Sequence, residues 1–320
     1  MARAENDDLW RNFPKTAQEF EARFATEDDC RAYWIEARWG GTPQCSECES
    51  VRVWSERKGT LFECADCGHY TSLTSGTLLQ GTRKPYKTWF RAVFEISSRR
   101  NGVSAKDLQR ILGFGSYETA WTWLHKLRAA LVRPDREPLG QQTQIDEAFV
   151  GGKRQGKSMV LVATETGAET RLGRIRLAHA ENNDEDTLRR FADASLATDA
   201  AVTSDGLASY NPESLGKRAH TPFVQTNAER RVHDTLQSVH WTVSLLKRWL
   251  LGTHAGAVQP KHLQAYLDEF VFRHNRRKTK GVGRIAARTI GNLVITAPMT
   301  MRNLVNNTLP CRNLRPALAR

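Results

Sequence analysis

Residues 144–150, Gln-Ile-Asp-Glu-Ala-Phe-Val, and residues 201–206, Ala-Val-Thr-Ser-Asp-Gly, are two short runs that each bring an aspartate to the end of apolar, β-branched sequence. Both runs are predicted to be β-strands, because β-branched and aromatic residues favour the pleated conformation. A strand that ends on Asp146 or Asp205 fixes the carboxylate while the following loop leaves it accessible to substrate. An aspartate at a strand end is also a common turn or cap residue, so each position alone allows a purely local role. Two of them in one chain favour a site for hard divalent cations and phosphoryl-transfer chemistry.

The elements around these aspartates predict an α/β fold. Strand-like runs occupy residues 144–150, 158–164 and 173–177, a helix follows at about 184–197, and another strand occupies 201–204. Three strands, a helix and a strand is the order of an RNase H-like core, a mixed sheet with flanking helices. In that fold the first acidic ligand lies on the first strand and the second follows the fourth strand, as Asp146 and Asp205 would.

Composition points to a globular protein with a polyanionic partner. The chain has 320 residues, 40% of them hydrophobic and 26% charged, which is enough for two or three domains. Of the net charge of +12, residues 270–320 supply eleven Lys and Arg with no Asp or Glu, and residues 81–131 supply ten basic against three acidic residues. A solvated basic face is the alternative, but nucleic acid is the favoured partner. No run approaches the roughly 18 apolar residues of a membrane span, so we expect a cytoplasmic, nucleoid-associated protein that does not bind membranes.

Four of the six cysteines form two C-x-x-C pairs, Cys45 with Cys48 and Cys64 with Cys67, separated by fifteen residues. Each pair predicts a knuckle that points two thiolates at one tetrahedral ion, and the spacing is typical of a structural zinc ribbon. Disulfide bonds are the alternative, but they are rare in a reducing cytosol. We therefore predict that these four cysteines bind a Zn²⁺ ion that stabilises the fold and takes no part in catalysis.

A helix, a glycine-containing turn and a second helix are predicted between residues 104 and 131. Ser104 is a candidate N-cap of the first helix, and Gly-Phe-Gly at 113–115 makes the turn. An ordinary helical hairpin would give the same pattern, but the basic surroundings favour a DNA-binding helix-turn-helix. In that interpretation the side chains that face a DNA groove or phosphate are Thr119, Thr122, Trp123 and Lys126.

These patterns divide the chain into four parts. The N-terminal helix and zinc ribbon take residues 1–80, and the helix-turn-helix-like segment takes residues 81–133. The RNase H-like catalytic domain takes residues 141–280, and a basic C-terminal tail takes residues 281–320. Residues 134–140 (Pro-Asp-Arg-Glu-Pro-Leu-Gly) are rich in helix breakers and mark the main boundary.

A long helix is predicted from about residue 232 to residue 251, because apolar residues recur there at intervals of three and four. His240 and Lys247 are seven residues apart and therefore lie on nearly the same helical face. His240 is a candidate third metal ligand, and its imidazole would suit Mn²⁺ better than Mg²⁺ because Mg²⁺ prefers oxygen. A histidine that only packs against its neighbours is the alternative.

Four stretches of the chain resemble one family. They are residues 145–153 (Ile-Asp-Glu-Ala-Phe-Val-Gly-Gly-Lys), 204–210 (Ser-Asp-Gly-Leu-Ala-Ser-Tyr), 246–254 (Leu-Lys-Arg-Trp-Leu-Leu-Gly-Thr-His) and 262–277 (His-Leu-Gln-Ala-Tyr-Leu-Asp-Glu-Phe-Val-Phe-Arg-His-Asn-Arg-Arg). Together with the zinc ribbon in front, the chain resembles the ISXO-like group of bacterial insertion-sequence DDE transposases over nearly its whole length. The resemblance implies a DNA transposase that binds the terminal inverted repeats of an insertion sequence and uses Mg²⁺ or Mn²⁺ to cleave DNA and transfer the strand.

The resemblance also implies residue roles. Asp146 and Asp205 take the first two catalytic positions. The third, where the family has Glu or Asn, falls on His240 or a shifted neighbour, with thirty-four residues between Asp205 and His240. Glu147 is expected to point to the opposite side of its strand and to leave the metal alone. The residues expected to contact DNA phosphate are Lys153, Lys247, Arg248, Arg273, Arg276 and Arg277.

The implied partners are double-stranded DNA, both the element ends and the target, and further copies of the chain, because two ends have to be held together. Two other functions are compatible with the sequence. One is a transposase-derived DNA-binding protein, such as a repressor or host factor, that has lost its chemistry at the third ligand. The other is a metal-dependent nuclease that cuts DNA without joining ends.

Overall fold

In the computed structural model of the chain, the described residues are Leu9 and the ranges 13–132, 136–140, 142–151, 156–166, 172–223, 236–256, 258–279 and 281–306. They form two compact units. The first comprises the residues up to Leu131 together with those from Lys278 onward, and the second comprises the residues from Val132 to Arg277.

The helices and strands of the described residues follow one another along the chain. They are α1 (Ala17–Arg23), α2 (Glu27–Trp39), β1 (Val53–Glu56), β2 (Leu61–Cys64), β3 (Tyr70–Ser72), α3 (Tyr86–Ser98), α4 (Ala105–Leu112), α5 (Tyr117–Leu131), β4 (Gln142–Val150), β5 (Ser158–Thr166), β6 (Ile175–Ala180), α6 (Glu185–Ser195), β7 (Ala201–Ser204), α7 (Pro212–Leu215), β8 (His220–Pro222), α8 (Gln237–His254), α9 (Leu263–Asn275), α10 (Val282–Ile295) and α11 (Met301–Val305). Of these, no helix is both long and apolar enough to cross a membrane, within the part of the chain that the structure describes.

An aromatic cluster holds the first unit together. The ring of Phe24 lies 5.2 Å from Phe20, 5.5 Å from Tyr33 and 4.9 Å from Phe90, centroid to centroid. Rings at such tilted or edge-on contacts add stability beyond the apolar area that they bury. Helix α2 begins with a full capping box between Thr26 and Asp29, which satisfies the first backbone N–H groups of the helix.

The C-terminal segment also belongs to the first unit. The sequence predicts a basic tail beyond residue 281, whereas residues 282–295 form helix α10, which packs against α2, α3 and α5. Its apolar residues Ala286, Ile290 and Leu293 are buried at helical spacing, and the side-chain amide of Asn292 donates to the backbone carbonyl of Ala130 at 2.7 Å. The high count of basic residues masked this apolar periodicity in the sequence.

The second unit is built on a five-stranded mixed sheet in the order β6-β5-β4-β7-β8. Strand β4 pairs antiparallel with β5 and parallel with β7, and β8 continues the parallel side. Counted within the unit, this order is 3-2-1-4-5, so the predicted α/β, RNase H-like architecture is confirmed. Strand β6 lies two to three residues later than predicted, and the long helix begins at Gln237 within the described residues.

Helices cover both faces of this sheet. On one face, Ile145 and Leu161 pack with Leu188 and Phe191 of α6. On the other face, strand residues such as Ala148 pack with buried residues of α8 and α9. Because alternate residues of a strand point to opposite faces, Asp146 shares the α8 and α9 face with Ala148, and Glu147 shares the α6 face with Ile145.

Candidate active site

Three carboxylates meet where the pairing of the two central parallel strands ends. The ladder between β4 and β7 stops at Gln144 opposite Thr203, so both strands continue unpaired with each other toward Asp146 and Asp205. One oxygen from each of Asp146, Glu147 and Asp205 lies within 4.8 Å of the other two. Carboxylate oxygens at such spacing are the ligand set that Mg²⁺ and Mn²⁺ take in proteins. The two sequence-predicted aspartates are therefore brought together.

Asp146 is half-buried, and its environment opposes ionisation in the metal-free protein. Burial raises the pKa of its carboxyl group to about 7, and the negative charge of Asp205 pushes in the same direction. The backbone N–H of Glu147 donates to Asp146 Oδ1 at 2.7 Å, which partly opposes this rise. A divalent cation would supply the missing positive charge, so the site is electrostatically suited to one.

Glu147 is the part of the cluster that sequence reasoning excluded. Its backbone does place it on the opposite face from Asp146, yet its carboxylate lies in the cluster. The expectation that Glu147 does not bind the metal stays a prediction. Beyond the last pair of β4 with β7, no hydrogen-bonded ladder between these two strands separates the two faces of the sheet. A glutamate side chain is long enough to reach from one face to the other at this point. The hydroxyl of Tyr210 donates to Glu147 Oε1 at 2.9 Å, and Asn183 also hydrogen-bonds the carboxylate. Burial nevertheless raises the pKa of Glu147.

Asp205 is the exposed member of the cluster and sits at a turn. The backbone N–H of Leu207 donates to Asp205 Oδ1 at 3.1 Å, and Gly206 takes a φ of 81° that favours glycine. Ser204, the last residue of β7, accepts from the backbone N–H of Gly206 at 3.2 Å. This local bonding shapes the loop, in which Asp205 is exposed.

The four predicted zinc cysteines form a second cluster, in the first unit. Their Sγ atoms lie 3.6 Å apart for Cys45 and Cys67, 3.6 Å for Cys48 and Cys64, and 3.5 Å for Cys48 and Cys67. Four sulfurs at 2.3 Å from one tetrahedral zinc would be about 3.8 Å apart, so the spacing fits a metal. It is too long for disulfide bonds, and all four cysteines are reduced.

The two knuckles are built alike. The backbone N–H of Glu47 donates to Cys45 Sγ and that of Asp66 donates to Cys64 Sγ, each at 3.4 Å. Each knuckle then closes through a residue in the left-handed region, Glu49 at a φ of 60° and Gly68 at a φ of 68°. These N–H donors stabilise thiolates, as a metal site requires.

Comparison with protein families agrees with both clusters. The ISXO2-like transposase domain matches residues 133–275, and the transposase zinc-ribbon domain matches residues 25–70. The chain carries an ISXO2-like transposase domain behind a transposase zinc ribbon. The predicted family is thus confirmed, and the five-stranded sheet with its carboxylate cluster is the core of the transposase domain. A comparison with curated proteins gave no match to this chain.

In the transposase domain, His240 lies near the start of α8. The backbone N–H of Ser238 donates to the side chain of Gln144 at 3.1 Å, so this end of the helix lies over the strand face that carries Asp146. His240 is half-buried there. Among the described residues, it is not part of the group whose ligand atoms lie within 4.8 Å of one another.

The basic residues assigned to DNA phosphate fall into two sets. Lys247 and Arg248 are exposed on α8, as a phosphate contact requires. Lys153 lies outside the described residues. The other set, at the end of α9 and just after it, has partners within the transposase domain itself.

The three arginines near the end of α9 are held by the domain. Arg273 donates to Glu269 Oε1 from Nε at 2.9 Å and from a terminal nitrogen at 2.8 Å. The guanidinium of Arg276 lies over the ring of Phe272, 4.0 Å from its centroid. Arg277 donates to the backbone carbonyls of residues 172, 173 and 274. These contacts give all three arginines a structural role, and their predicted phosphate contacts stay predictions.

The same helix covers the exposed edge of the sheet with two side-chain amides. Asn275 accepts from the N–H of Ile175 at 2.8 Å and donates to its carbonyl at 3.1 Å. Gln264 accepts from the N–H of His179 at 2.9 Å and donates to the carbonyl of Leu177 at 3.3 Å. The amides thus pair with edge strand β6 as a neighbouring strand would, which blunts a surface prone to aggregation. Sequence reasoning missed this role, because nothing local to α9 identifies its partner.

The structure contains the two helices and the turn of the predicted helix-turn-helix, but the side chains that were expected to face DNA are buried or half-buried. Helices α4 and α5 flank a turn at Gly113, but Trp123 is buried in the core, and its ring stacks on that of Trp89 with centroids 3.4 Å apart. The prediction that Trp123 faces DNA is therefore wrong. Thr119, Thr122 and Lys126 are half-buried, and burial lowers the pKa of Lys126. Exposed basic residues of this unit include Arg83, Arg100, Lys106 and Arg110 before α5, and Arg284, Arg288 and Arg302 after it.

Proposed function

We propose that the protein is a DNA transposase that binds the terminal inverted repeats of an insertion sequence and catalyses metal-dependent DNA cleavage and strand transfer. The observation that carries this proposal is the group of carboxylate oxygens from Asp146, Glu147 and Asp205, within 4.8 Å of one another, just beyond the point where β4 and β7 stop pairing. Its place in an ISXO2-like transposase domain supports the assignment to DNA rather than to another phosphodiester.

In this proposal Asp146 and Asp205 bind the catalytic Mg²⁺ or Mn²⁺, and His240 supplies the third ligand from α8. When bound there, a divalent ion would supply the charge that activates a water or a DNA 3′-hydroxyl as nucleophile and stabilises the leaving oxygen. The chain's own residues then have to position the phosphodiester and exclude competing water. Asp146 must lose its proton for the ion to bind, since a neutral carboxyl is a poor ligand.

DNA contacts in the proposal follow the exposed charge. Lys247 and Arg248 project from α8, the helix whose first turn lies over the face of Asp146. Lys153 is a further phosphate contact in the proposal, on the strength of the family resemblance of its stretch. The zinc ribbon and the exposed basic residues that precede α5 bind the element ends. Two ends have to be held together, so the protein acts as a homo-oligomer on DNA at the nucleoid.

The test is a cleavage assay with the purified full-length protein and a labelled duplex that carries the element's own terminal repeat. Cleavage is measured with Mg²⁺, with Mn²⁺ and with EDTA. We expect metal-dependent cleavage at the element end, and we expect Asp146→Ala and Asp205→Ala to abolish it while binding of the duplex persists. Asp199→Ala is the matched control, because Asp199 is an exposed carboxylate in the same domain but outside the cluster.

His240→Ala examines the third ligand separately. Loss of cleavage with intact DNA binding supports a ligand role, and full activity moves that ligand elsewhere. Cleavage that survives Asp146→Ala contradicts the assignment. Binding without cleavage under either metal favours a transposase-derived DNA-binding protein, and cleavage without joining of ends favours a nuclease.

A further inference from the structure

Asp146 and Asp205 come from different strands, and the sheet itself does not fix their separation. The last registered pair between β4 and β7 is Gln144 with Thr203, and each aspartate lies two residues beyond it. Asp205 is exposed in a turn. Two carboxylates of like charge repel each other, so some contact beyond the ladder has to hold them close before a cation arrives.

A hydrogen bond between Tyr210 and Glu147 spans this gap. Tyr210 closes the loop that follows Asp205, with its backbone N–H on the carbonyl of Leu207 at 2.9 Å. Its hydroxyl donates to Glu147, the residue next to Asp146, at 2.9 Å. The bond therefore ties the loop of the second aspartate to the strand of the first.

Other contacts hold both residues of this hydrogen bond in place. The ring of Tyr210 is 4% exposed and belongs to the buried cluster with Phe191 and Leu215, so the hydroxyl has little freedom. The carboxylate of Glu147 is half-buried and also hydrogen-bonded to Asn183, which precedes α6. A charged acceptor makes this bond stronger than one between neutral groups.

We propose that the hydrogen bond from Tyr210 to Glu147 sets the spacing between Asp146 and Asp205, and that Tyr210 and Glu147 are positioning residues for the cation site. This inference rests on the proposed function, since it concerns the same carboxylates. Glu147 Oε1 is committed to Tyr210, and its side chain starts from the sheet face opposite to that of Asp146. Glu147 therefore acts through the loop that it holds and does not bind the ion.

The test measures Mn²⁺ binding to the full-length protein without DNA, by electron paramagnetic resonance of unbound Mn²⁺. We expect Tyr210→Phe, which removes only the hydroxyl, to weaken Mn²⁺ binding about tenfold, the lower end of what loss of an outer-shell partner costs. Glu147→Ala should weaken it equally. Glu147→Gln keeps an oxygen acceptor for Tyr210 and should stay within about twofold of the unsubstituted protein.

Two controls separate positioning from loss of folding. Thermal unfolding without metal reports whether each variant is folded. If Tyr210→Phe fails to fold, Glu147→Ala still tests the hydrogen bond between Tyr210 and Glu147. Tyr266→Phe removes the hydroxyl of another buried tyrosine in the same unit and should leave Mn²⁺ affinity unchanged. Asp146→Asn gives the reference for loss of a direct ligand.

Each outcome decides the proposal. Folded Tyr210→Phe with unchanged Mn²⁺ affinity overturns it, and so does Glu147→Gln that binds as poorly as Asp146→Asn, because Glu147 would then be a ligand. Unsubstituted protein that binds no Mn²⁺ overturns both this inference and the proposed function. If the variants change Mn²⁺ affinity as expected but the protein cleaves no DNA, the positioning role is supported and the proposed function is contradicted. If the protein cleaves DNA but the variants do not change Mn²⁺ affinity as expected, the proposed function is supported and the positioning role is contradicted.

Discussion

Replacement of Arg273 by alanine separates the structural and DNA-binding roles of the basic residues on α9. Glu269 is fully buried, and two guanidinium nitrogens of Arg273 donate to its Oε1 at 2.9 and 2.8 Å. The Arg273 side chain is only 14% exposed, so this pair is shielded from water. Removal of the guanidinium leaves a buried carboxylate without its cation, which costs about 3–5 kcal/mol. At the lower figure, the melting temperature of a unit of this size falls by about 6–12 °C.

The assay combines thermal unfolding with DNA binding at several salt concentrations. Lys247→Ala is the comparison, because Lys247 is exposed. Loss of one phosphate contact lowers the slope of log affinity against log salt by about 0.9 and leaves stability within about 0.5 kcal/mol. We expect that pattern for Lys247→Ala and the opposite pattern, lower stability with an unchanged slope, for Arg273→Ala.

A double replacement tests the cause of the instability. Glu269→Met combined with Arg273→Met removes both charges and should recover most of the lost stability, since buried ion pairs are often matched by apolar residues of similar volume. An Arg273→Ala protein of unchanged stability and reduced salt slope would refute this reasoning and return Arg273 to the DNA-binding surface.

Three further predictions concern the cation site, the ribbon and the core. Because the pKa of Asp146 is raised to about 7, Mn²⁺ affinity measured by titration should fall about tenfold for each pH unit below 7. The same raised pKa affects the folding stability of the metal-free protein. The stability contributed by the neutral carboxyl group is fully present below pH 3.8 and is lost as the pH rises through 7. Glu49→Gly should stabilise the ribbon by about 0.5–1 kcal/mol in denaturant unfolding, because Glu49 takes a φ of 60°, and a decrease would contradict the strain argument. Trp123→Ala should destabilise the protein by about 3–5 kcal/mol, because the indole is buried and stacked on Trp89, and a stable variant with weakened DNA binding would restore the groove-facing interpretation.

Features whose partners are close in sequence were predictable. The cysteines of each knuckle are three residues apart, so Cys45 with Cys48 and Cys64 with Cys67 reveal the metal cluster by spacing alone. Strand patterns around Asp146 and Asp205 predicted the order of elements, and the order restricted the sheet to few topologies. The resemblance of the same stretches to a transposase family was confirmed by the domain match.

Features that depend on contacts distant in sequence were not predictable. The side-chain amide of Gln264 pairs with His179, 85 residues away, and that of Asn275 pairs with Ile175, 100 residues away. The residues near Gln264 and Asn275 in the sequence do not show that their partner is the edge strand β6.

The sequence by itself determined the order of strands and helices along the catalytic domain, the zinc cysteines and the two aspartates, because strand propensity, residue type and spacing are properties of the chain. The tertiary structure alone decided that Glu147 joins the carboxylates, that Tyr210 holds it from sixty-three residues away, and that residues 282–295 complete the first unit. The physical reason is that alternation along a strand fixes the face from which a side chain starts. Which group the polar end of that side chain contacts depends on where the neighbouring strand ends and on which loop lies beside that end.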